Sequence, residues 1–461
     1  MSLIKSISGI RGTIGGKPTD NLTPLDVVRF SAAYGGYVKS QAKSTKCSVV
    51  IGRDARISGK MVQALVSNTL VGLGIDVIDL DLATTPTVEM MVPKLKAQGG
   101  IILTASHNPK QWNALKLLDA NGEFLNAEAG EKILAIADEE NFDFAAVDDL
   151  GTIKQDNTSL DIHIKAVLDH PLVEVEKIKE TQLKVVVDGV NSIGGIAIPE
   201  LLRALDVEVV ELFCEPNGQF PHNPEPLKEH LGALSAKVTE TNADFGIVVD
   251  PDVDRLAFMD ENGEMFGEEY TLVACADYVL SKKKGNTVSN ISSTRALRDI
   301  TEKQGGKYYS SAVGEVNVVQ QMKACNAIIG GEGNGGIIDP YLHYGRDSLI
   351  GTAFFLSLIS ESKLSVSDLK KTYPEYFMSK GKIELEPAMN VDKLLEKVQE
   401  KYQAQKPNTI DGVKIDFEDS WVHLRKSNTE PIIRVYTEAP SQDLADKLMN
   451  RFKEELLSFT S

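Results

Sequence analysis

The stretch "LKVVVDGVNSIGGIAIPELLRALDVEVVELF" (183–213) decides the fold class. Residues 183–188 are a β-branched apolar run that stops at Asp and Gly, as a buried strand does on entering a turn. Residues 196–205 carry a helical pattern, and "DVEVVELF" (206–213) is a second strand. Runs of the same kind recur in "CSVVIGRD" (47–54), "GIDVIDLD" (74–81) and "DFGIVVDPDVD" (244–254), with a helical stretch at 60–73. Alternation of this type implies α/β layers with mixed, mostly parallel sheets. "VVIGRD" and "VVVDGVN", each strand then polar turn then helix, point to a repeated unit.

The tail differs. From about residue 375 a helical pattern (390–405), alternating strands in "GVKIDFEDSWVHLRKS" and "PIIRVYTEA", and a final helix (441–458) read as a small α+β domain. Boundaries near 155, 257 and 375 give units 1–155, 156–257, 258–375 and 376–461. Four units in 461 residues agree with a prior of roughly 100–200 residues per domain.

Composition narrows the function. Hydrophobic content of 42% and charged content of 25% are ordinary for a soluble globular protein. A net charge of −17 argues against non-specific nucleic-acid binding. It does not argue against a phosphate ligand, because basic residues gather locally in "GIRG", "VIGRDARISGK" and "HLRKSNTEPIIRVY". No apolar run approaches the roughly 20 residues of a membrane helix, and "MSLIKSISGIRG" lacks a basic segment followed by a long apolar one. Cys47, Cys214, Cys275 and Cys325 form no CxxC pair and read as buried thiols of a reducing cytoplasm. The expectation is a cytoplasmic monomer or homodimer with no nucleic-acid or membrane partner.

Four segments carry chemistry. In "GGIILTASHNP" (99–109) a short strand that Pro109 prevents from continuing ends in a tight loop, which carries Ser106. "DPDVDR" places Asp250, Asp252 and Asp254 at alternate positions, so in extended backbone their carboxylates point to one side. Three like charges need a cation, and hard oxygen ligands favour Mg²⁺, Mn²⁺ or Ca²⁺. An EF-hand is rejected, because its sixth position, here Arg255, must be Gly. "GGEGNGG" (330–336) lets backbone approach a ligand, and Glu332, an acceptor only, suits hydroxyls better than phosphate. It is equally consistent with a plain glycine turn between two strands. "RKSNTEPIIR" groups Arg425, Ser427, Asn428, Thr429 and Arg434 around one turn, a set that suits a bound phosphate.

Taken together and in this order, "SGIRG" (8–12), "TASHNP" (104–109), "NALK" (113–116), "DPDVDR" (250–255), "GEGNGG" (331–336) and "RKSNTEPIIR" (425–434) resemble the α-D-phosphohexomutase superfamily over nearly the whole chain. The resemblance implies three similar α/β domains and a C-terminal α+β domain around a central cleft. It implies that Ser106 is the phosphoserine that gives and receives the phosphoryl group. One Mg²⁺ is then held by Asp250, Asp252, Asp254 and a phosphoserine oxygen. Arg255 and Arg11 orient the phosphoserine, His107 has a minor orienting role, and Lys116 is the general acid/base for the sugar hydroxyl. Glu332 and Asn334 bind the sugar, and the 425–434 segment binds the phosphate that is not reacting.

The family's glycine loop often carries Ser and His where this chain has Asn334 and Gly336, a form similar to archaeal-type phosphoglucosamine mutases and phosphogluco- or phosphomannomutases. The implied reaction converts glucosamine 6-phosphate to the 1-phosphate, with a glucose or glucosamine 1,6-bisphosphate as activator and intermediate. Phosphoglucomutase or phosphomannomutase activity is the alternative. Gly267 and Arg295 are candidates for selectivity. A metal-dependent sugar phosphatase is a remote alternative, disfavoured because seven histidines supply no clustered pair. A non-catalytic sensor would not need Ser106, Lys116 and all three aspartates.

Overall fold

The computed structural model describes residues 2–6, 9–42, 46–384, 390–426 and 432–459. The first sheet holds β1 (Ile4–Ser6), β2 (Gly9–Thr13), β3 (Cys47–Arg53), β4 (Ile75–Leu82), β5 (Gly99–Leu103), β6 (Trp112–Leu118) and β7 (Ile153–Gln155), in the order β1-β2-β6-β5-β3-β4-β7. The second holds β8 (Lys184–Asp188), β9 (Glu208–Leu212), β10 (Phe245–Val249) and β11 (Leu256–Met259), ordered β11-β10-β8-β9. The third holds β12 (Asn286–Asn290), β13 (Tyr308–Ser311), β14 (Ala327–Glu332) and β15 (Gly336–Ile338), ordered β13-β12-β14-β15. The last holds β16 (Phe377–Glu384), β17 (Val413–Asp416), β18 (Trp421–Lys426) and β19 (Ile432–Ala439), ordered β16-β19-β18-β17 and antiparallel throughout.

The repeat suggested by "VVIGRD" and "VVVDGVN" is real at the level of topology. Each of those segments is the first strand of a four-strand unit. The units β3–β6, β8–β11 and β12–β15 share one arrangement, in which the third strand pairs parallel with the first and antiparallel with the fourth. The first sheet is therefore more mixed than the others, because β1 and β2 add two further antiparallel pairs at the β6 edge.

Central strands are buried on both faces, which their uninterrupted apolar runs require. Every residue of β5 and of β10 is buried. Helix Ser348–Ser362 is apolar on nearly all sides and is embedded in a core shared by the second and third units. Asp347 caps it, accepting from the Leu349 amide at 2.8 Å. Amphipathic helices Val391–Lys401 and Gln442–Ser458 bury one face against the last sheet.

Three of the motif loops are tips of hairpins. The serine loop joins β5 to β6, the aspartate loop joins β10 to β11, and the glycine loop joins β14 to β15. In the last unit β18 and β19 pair antiparallel from Trp421 and Glu438 to Lys426 and Ile433. In the three α/β units the tip follows the carboxyl end of a parallel strand, where open α/β sheets bind ligands. No helix of the described residues is long and apolar enough to cross a membrane. Cys47 and Cys275 are buried, whereas Cys214 and Cys325 are partly exposed, so the expectation of burial holds for two of the four.

Candidate active site

Ser106 stands in the left-handed backbone region (φ 48°), held there by the loop around it. Its amide donates to Thr104 Oγ1 at 2.9 Å, and Thr104 in turn donates to Asp54 Oδ2 at 2.7 Å. Arg56, whose side chain is fully buried, grips the loop. Its guanidinium donates to the carbonyl oxygens of Ser106 (2.5 Å), Asn108 (2.7 Å), Pro109 (2.7 Å) and Trp112 (3.0 Å), and to Asp54 Oδ2 (2.9 Å). Burying a guanidinium is costly unless it is fully paired, and this one is. The same turn reaches the second unit, where the Ala55 amide donates to Ser192 Oγ and Ser192 donates to the Pro251 carbonyl at 2.6 Å.

Ser106 Oγ donates to Asp250 Oδ2 at 2.6 Å, so the first unit's hydroxyl touches the second unit's aspartate loop. One oxygen from each of Asp250, Asp252 and Asp254 lies within 4.8 Å of the others, and all three residues are fully buried. Asp250 Oδ1 accepts the amides of Asp254 and Arg255, both at 3.1 Å, which fixes the tight turn. Thr85 Oγ1 and Lys116 Nζ donate to Asp252 Oδ2 at 2.6 and 2.7 Å. Asp254 Oδ2 accepts from Arg346 at 2.7 Å and from Lys116 at 3.3 Å.

The remaining oxygens, Asp252 Oδ1 and Asp254 Oδ1, are buried with no hydrogen-bond partner among the described residues. Orphaned carboxylate oxygens inside a protein are expensive. Two of them beside a third carboxylate fit a divalent cation with a hard oxygen shell.

Electrostatics follow from this crowding. Burial, then Asp252 and Asp254, push the Asp250 carboxyl well above its ordinary value. Burial also opposes the charge of Asp254, yet Arg346 and Lys116 outweigh it and hold that group below the usual range. Burial works against the Lys116 ammonium, but Asp252 and Asp254 prevail and raise it. His107 Nδ1 lies 3.3 Å from Ser106 Oγ, and burial followed by the Arg255 charge depresses its ring to about 2. It is a neutral neighbour of the serine.

The glycine loop packs directly on the aspartate loop. The Leu256 amide donates to the Gly335 carbonyl at 3.0 Å, and a Cβ on Gly335, which sits at φ 87°, would meet Leu256 O at 2.2 Å. Glu332 is buried and held on both oxygens: Asn290 Nδ2 (2.9 Å) and the Gly314 amide (3.1 Å) donate to Oε1, and Arg346 donates to Oε2 (3.0 Å), which keeps a second acceptor site. Asn334 accepts the Gly336 amide at 3.3 Å.

Arg11 lies opposite Ala114 across β2 and β6, so its side chain leaves the sheet on the same face as that of Lys116. Its Nε is buried without a hydrogen-bond partner among the described residues. Arg255 pairs with Glu225 at 3.1 Å. In the last unit Arg425 and Arg434 are directly opposite in β18 and β19, with Asp411 bound to Arg425 Nε at 2.9 Å. Ser427, Asn428 and Thr429 lie outside the described residues. Arg295, read as a selectivity candidate, is instead packed into the joint with the last unit. Its guanidinium donates to the carbonyls of Ser420 (2.8 Å) and Glu418 (3.1 Å). Sequence reasoning missed Arg56, Arg346, Thr85 and Asn290 as parts of the site. The only signal for Arg56 was its place in the basic run "VIGRDARISGK".

Comparison with known proteins covers all four units of the chain. The chain matches "Phosphoglucomutase/phosphomannomutase, alpha/beta/alpha domain I" over residues 3–144, domain II over 161–263, domain III over 267–376 and the C-terminal domain over 383–455. The chain belongs to the phosphoglucomutase/phosphomannomutase family. Members similar to it include a phosphoglucomutase/phosphomannomutase of Thermococcus kodakarensis, 36% identical and covering 94% of this chain and 95% of the relative. A phosphoglucosamine/phosphogalactosamine mutase of Sulfurisphaera tokodaii is 31% identical, covering 98% and 99%. The crystal structure of a phosphoglucomutase/phosphomannomutase family protein from Burkholderia thailandensis superposes with a TM-score of 0.82 at 25% identity, covering 99% and 98%. Family membership makes this chain a phosphohexomutase with an acidic triad suited to a divalent cation.

Proposed function

We propose that the protein interconverts glucosamine 6-phosphate and glucosamine 1-phosphate through a phosphorylated Ser106 and a sugar 1,6-bisphosphate. One observation carries the reading: a serine hydroxyl in a strained loop 2.6 Å from a buried triad of aspartates that retains two unpartnered oxygens. In the first half-reaction the bond between Ser106 Oγ and phosphorus breaks as one forms to a sugar hydroxyl oxygen, whose proton ends on Oγ; in the second the other phosphoryl group of the bisphosphate returns to Oγ, and the proton passes from Oγ to the sugar oxygen left behind. Lys116 Nζ, which bridges Asp252 and Asp254, is the acid/base group for that proton.

Asp250, Asp252 and Asp254 would hold Mg²⁺, which when bound neutralises charge on the transferring phosphoryl group. Arg255 and Arg11 supply fixed positive charge toward the phosphoserine. Glu332 and Asn334 accept sugar hydroxyls. Arg425 and Arg434, with the segment 427–429, clamp the remote phosphate in both orientations of the bisphosphate. The units 1–155, 156–257, 258–375 and 376–461 then contribute the serine, cation, sugar and phosphate loops in turn. Phosphoglucomutase or phosphomannomutase activity is the second reading, favoured by the name of the Thermococcus relative.

Purified protein given Mg²⁺, a trace of glucose 1,6-bisphosphate, and the 6-phosphates of glucosamine, glucose or mannose separates these readings by ³¹P NMR. The expected result is a 1-phosphate signal that grows fastest with glucosamine 6-phosphate. Faster conversion of glucose or mannose phosphate moves the assignment to the second reading. Release of inorganic phosphate alone overturns both.

A further inference from the structure

Arg346 lies outside every motif singled out in the sequence, yet it touches two of the loops that define the site. It sits in the turn after β15, where it forms a bridge with Ile338. The turn is tied to the aspartate loop by the Ser348 amide, which donates to the Val253 carbonyl at 3.3 Å. From this turn the guanidinium spreads three ways: Nη2 to Asp254 Oδ2 (2.7 Å), Nη1 to Glu332 Oε2 (3.0 Å) and Nε to Glu315 Oε2 (2.9 Å). The side chain is 10% exposed. Space for it comes from Gly336, where an added Cβ would lie 2.3 Å from Arg346 Cδ.

We propose that Arg346 is a positioning residue that couples the sugar-loop carboxylate to the cation-binding carboxylate, an inference that rests on the mutase reading above. Two consequences follow, and they have opposite signs. Through Nη1, Arg346 fixes the one orientation in which Glu332 faces a sugar, so its loss weakens sugar binding. Through Nη2, it places a positive charge beside Asp254, so its loss relieves repulsion toward a cation on the triad. A planar fork satisfies three carboxylates at once; an ammonium, being a point charge, does not.

The experiment measures Mn²⁺ binding by electron paramagnetic resonance on protein without sugar, and glucosamine 6-phosphate affinity by calorimetry. Conversion of glucosamine 6-phosphate by the wild type tests the mutase reading by itself. Arg346→Lys keeps the charge and loses the fork. It is expected to hold Mn²⁺ within about threefold of wild type while binding sugar phosphate about 10- to 150-fold more weakly, the effect of one charged hydrogen bond. Gly336→Ala, whose backbone tolerates alanine, displaces Arg346 and is expected to reproduce the weaker sugar binding. Arg346→Met removes the charge and is expected to bind Mn²⁺ about tenfold more tightly. A purely structural role would weaken both ligands together. Unchanged sugar affinity in Arg346→Lys and Gly336→Ala, or weaker Mn²⁺ binding in Arg346→Met, overturns the proposal.

Discussion

The hydroxyl of Ser106 and the carboxylate of Asp250 meet at 2.6 Å across the junction of two α/β units, although 144 residues separate them. A phosphoryl group on that oxygen would therefore lie beside the aspartate triad. Intact-mass measurement of active protein is expected to show a fraction of chains heavier by one phosphate. Ser106→Ala is expected to remove both that fraction and nearly all turnover. Fully active wild type that is never phosphorylated and needs no bisphosphate activator would contradict the role of Ser106.

Arg56 holds four carbonyl oxygens of the serine loop together with the Asp54 carboxylate. Arg56→Lys retains a charge but cannot span those carbonyls. The expected loss is at least about tenfold in kcat, from one charged hydrogen bond or more, with KM for the sugar phosphate nearly unchanged. An equal loss in both constants would mean that the whole cleft, rather than the serine loop, depends on Arg56.

Asp252 offers one oxygen to Lys116 and Thr85 and leaves the other bare. Asp252→Asn removes a charge and replaces one oxygen ligand by an amide nitrogen. Turnover is expected to fall by about two orders of magnitude or more, comparable to the loss of a preorganised charge-stabilising group, with partial recovery at high Mg²⁺. Wild-type activity that survives excess chelator would leave the triad a purely structural feature.

His423 joins the third and fourth units: Nδ1 meets Ser292 Oγ at 2.9 Å and Nε2 meets the Asp411 carbonyl at 2.6 Å. Burial holds its ring down to about 4. The folded state thus favours the neutral form, and its stabilising contribution is complete above the unfolded value of roughly 6.5. It is lost as pH falls from there toward 4, at about 1.4 kcal/mol per pH unit. His423→Gln is expected to lower stability at neutral pH but to flatten this part of the pH dependence. Denaturant melts of both proteins between pH 7 and pH 4 provide the measurement; parallel curves would rule the effect out.

Much of this was legible in local sequence. The run at 183–213 showed strand, helix and strand because apolar periodicity and turn residues are short-range signals. The aspartates at 250, 252 and 254 announced a cation site because alternate residues of extended chain share a side. Ser106 was marked by a strand that Pro109 does not let continue. Arg295 misled because an isolated arginine in a sequence carries no sign of whether it faces a ligand or, as here, the backbone of another unit.

The sequence by itself determined the α/β class, the hint of a repeated unit and the loops proposed to carry the chemistry, since each is written within a short stretch of chain. Only the tertiary structure decided which oxygens of those loops are left open. Asp254 loses one oxygen to Arg346, 92 residues away, and Ser106 owes its loop to Arg56, 50 residues away. Such pairings arise where separate hairpin tips converge, and buried charge must find its partner in space rather than along the chain.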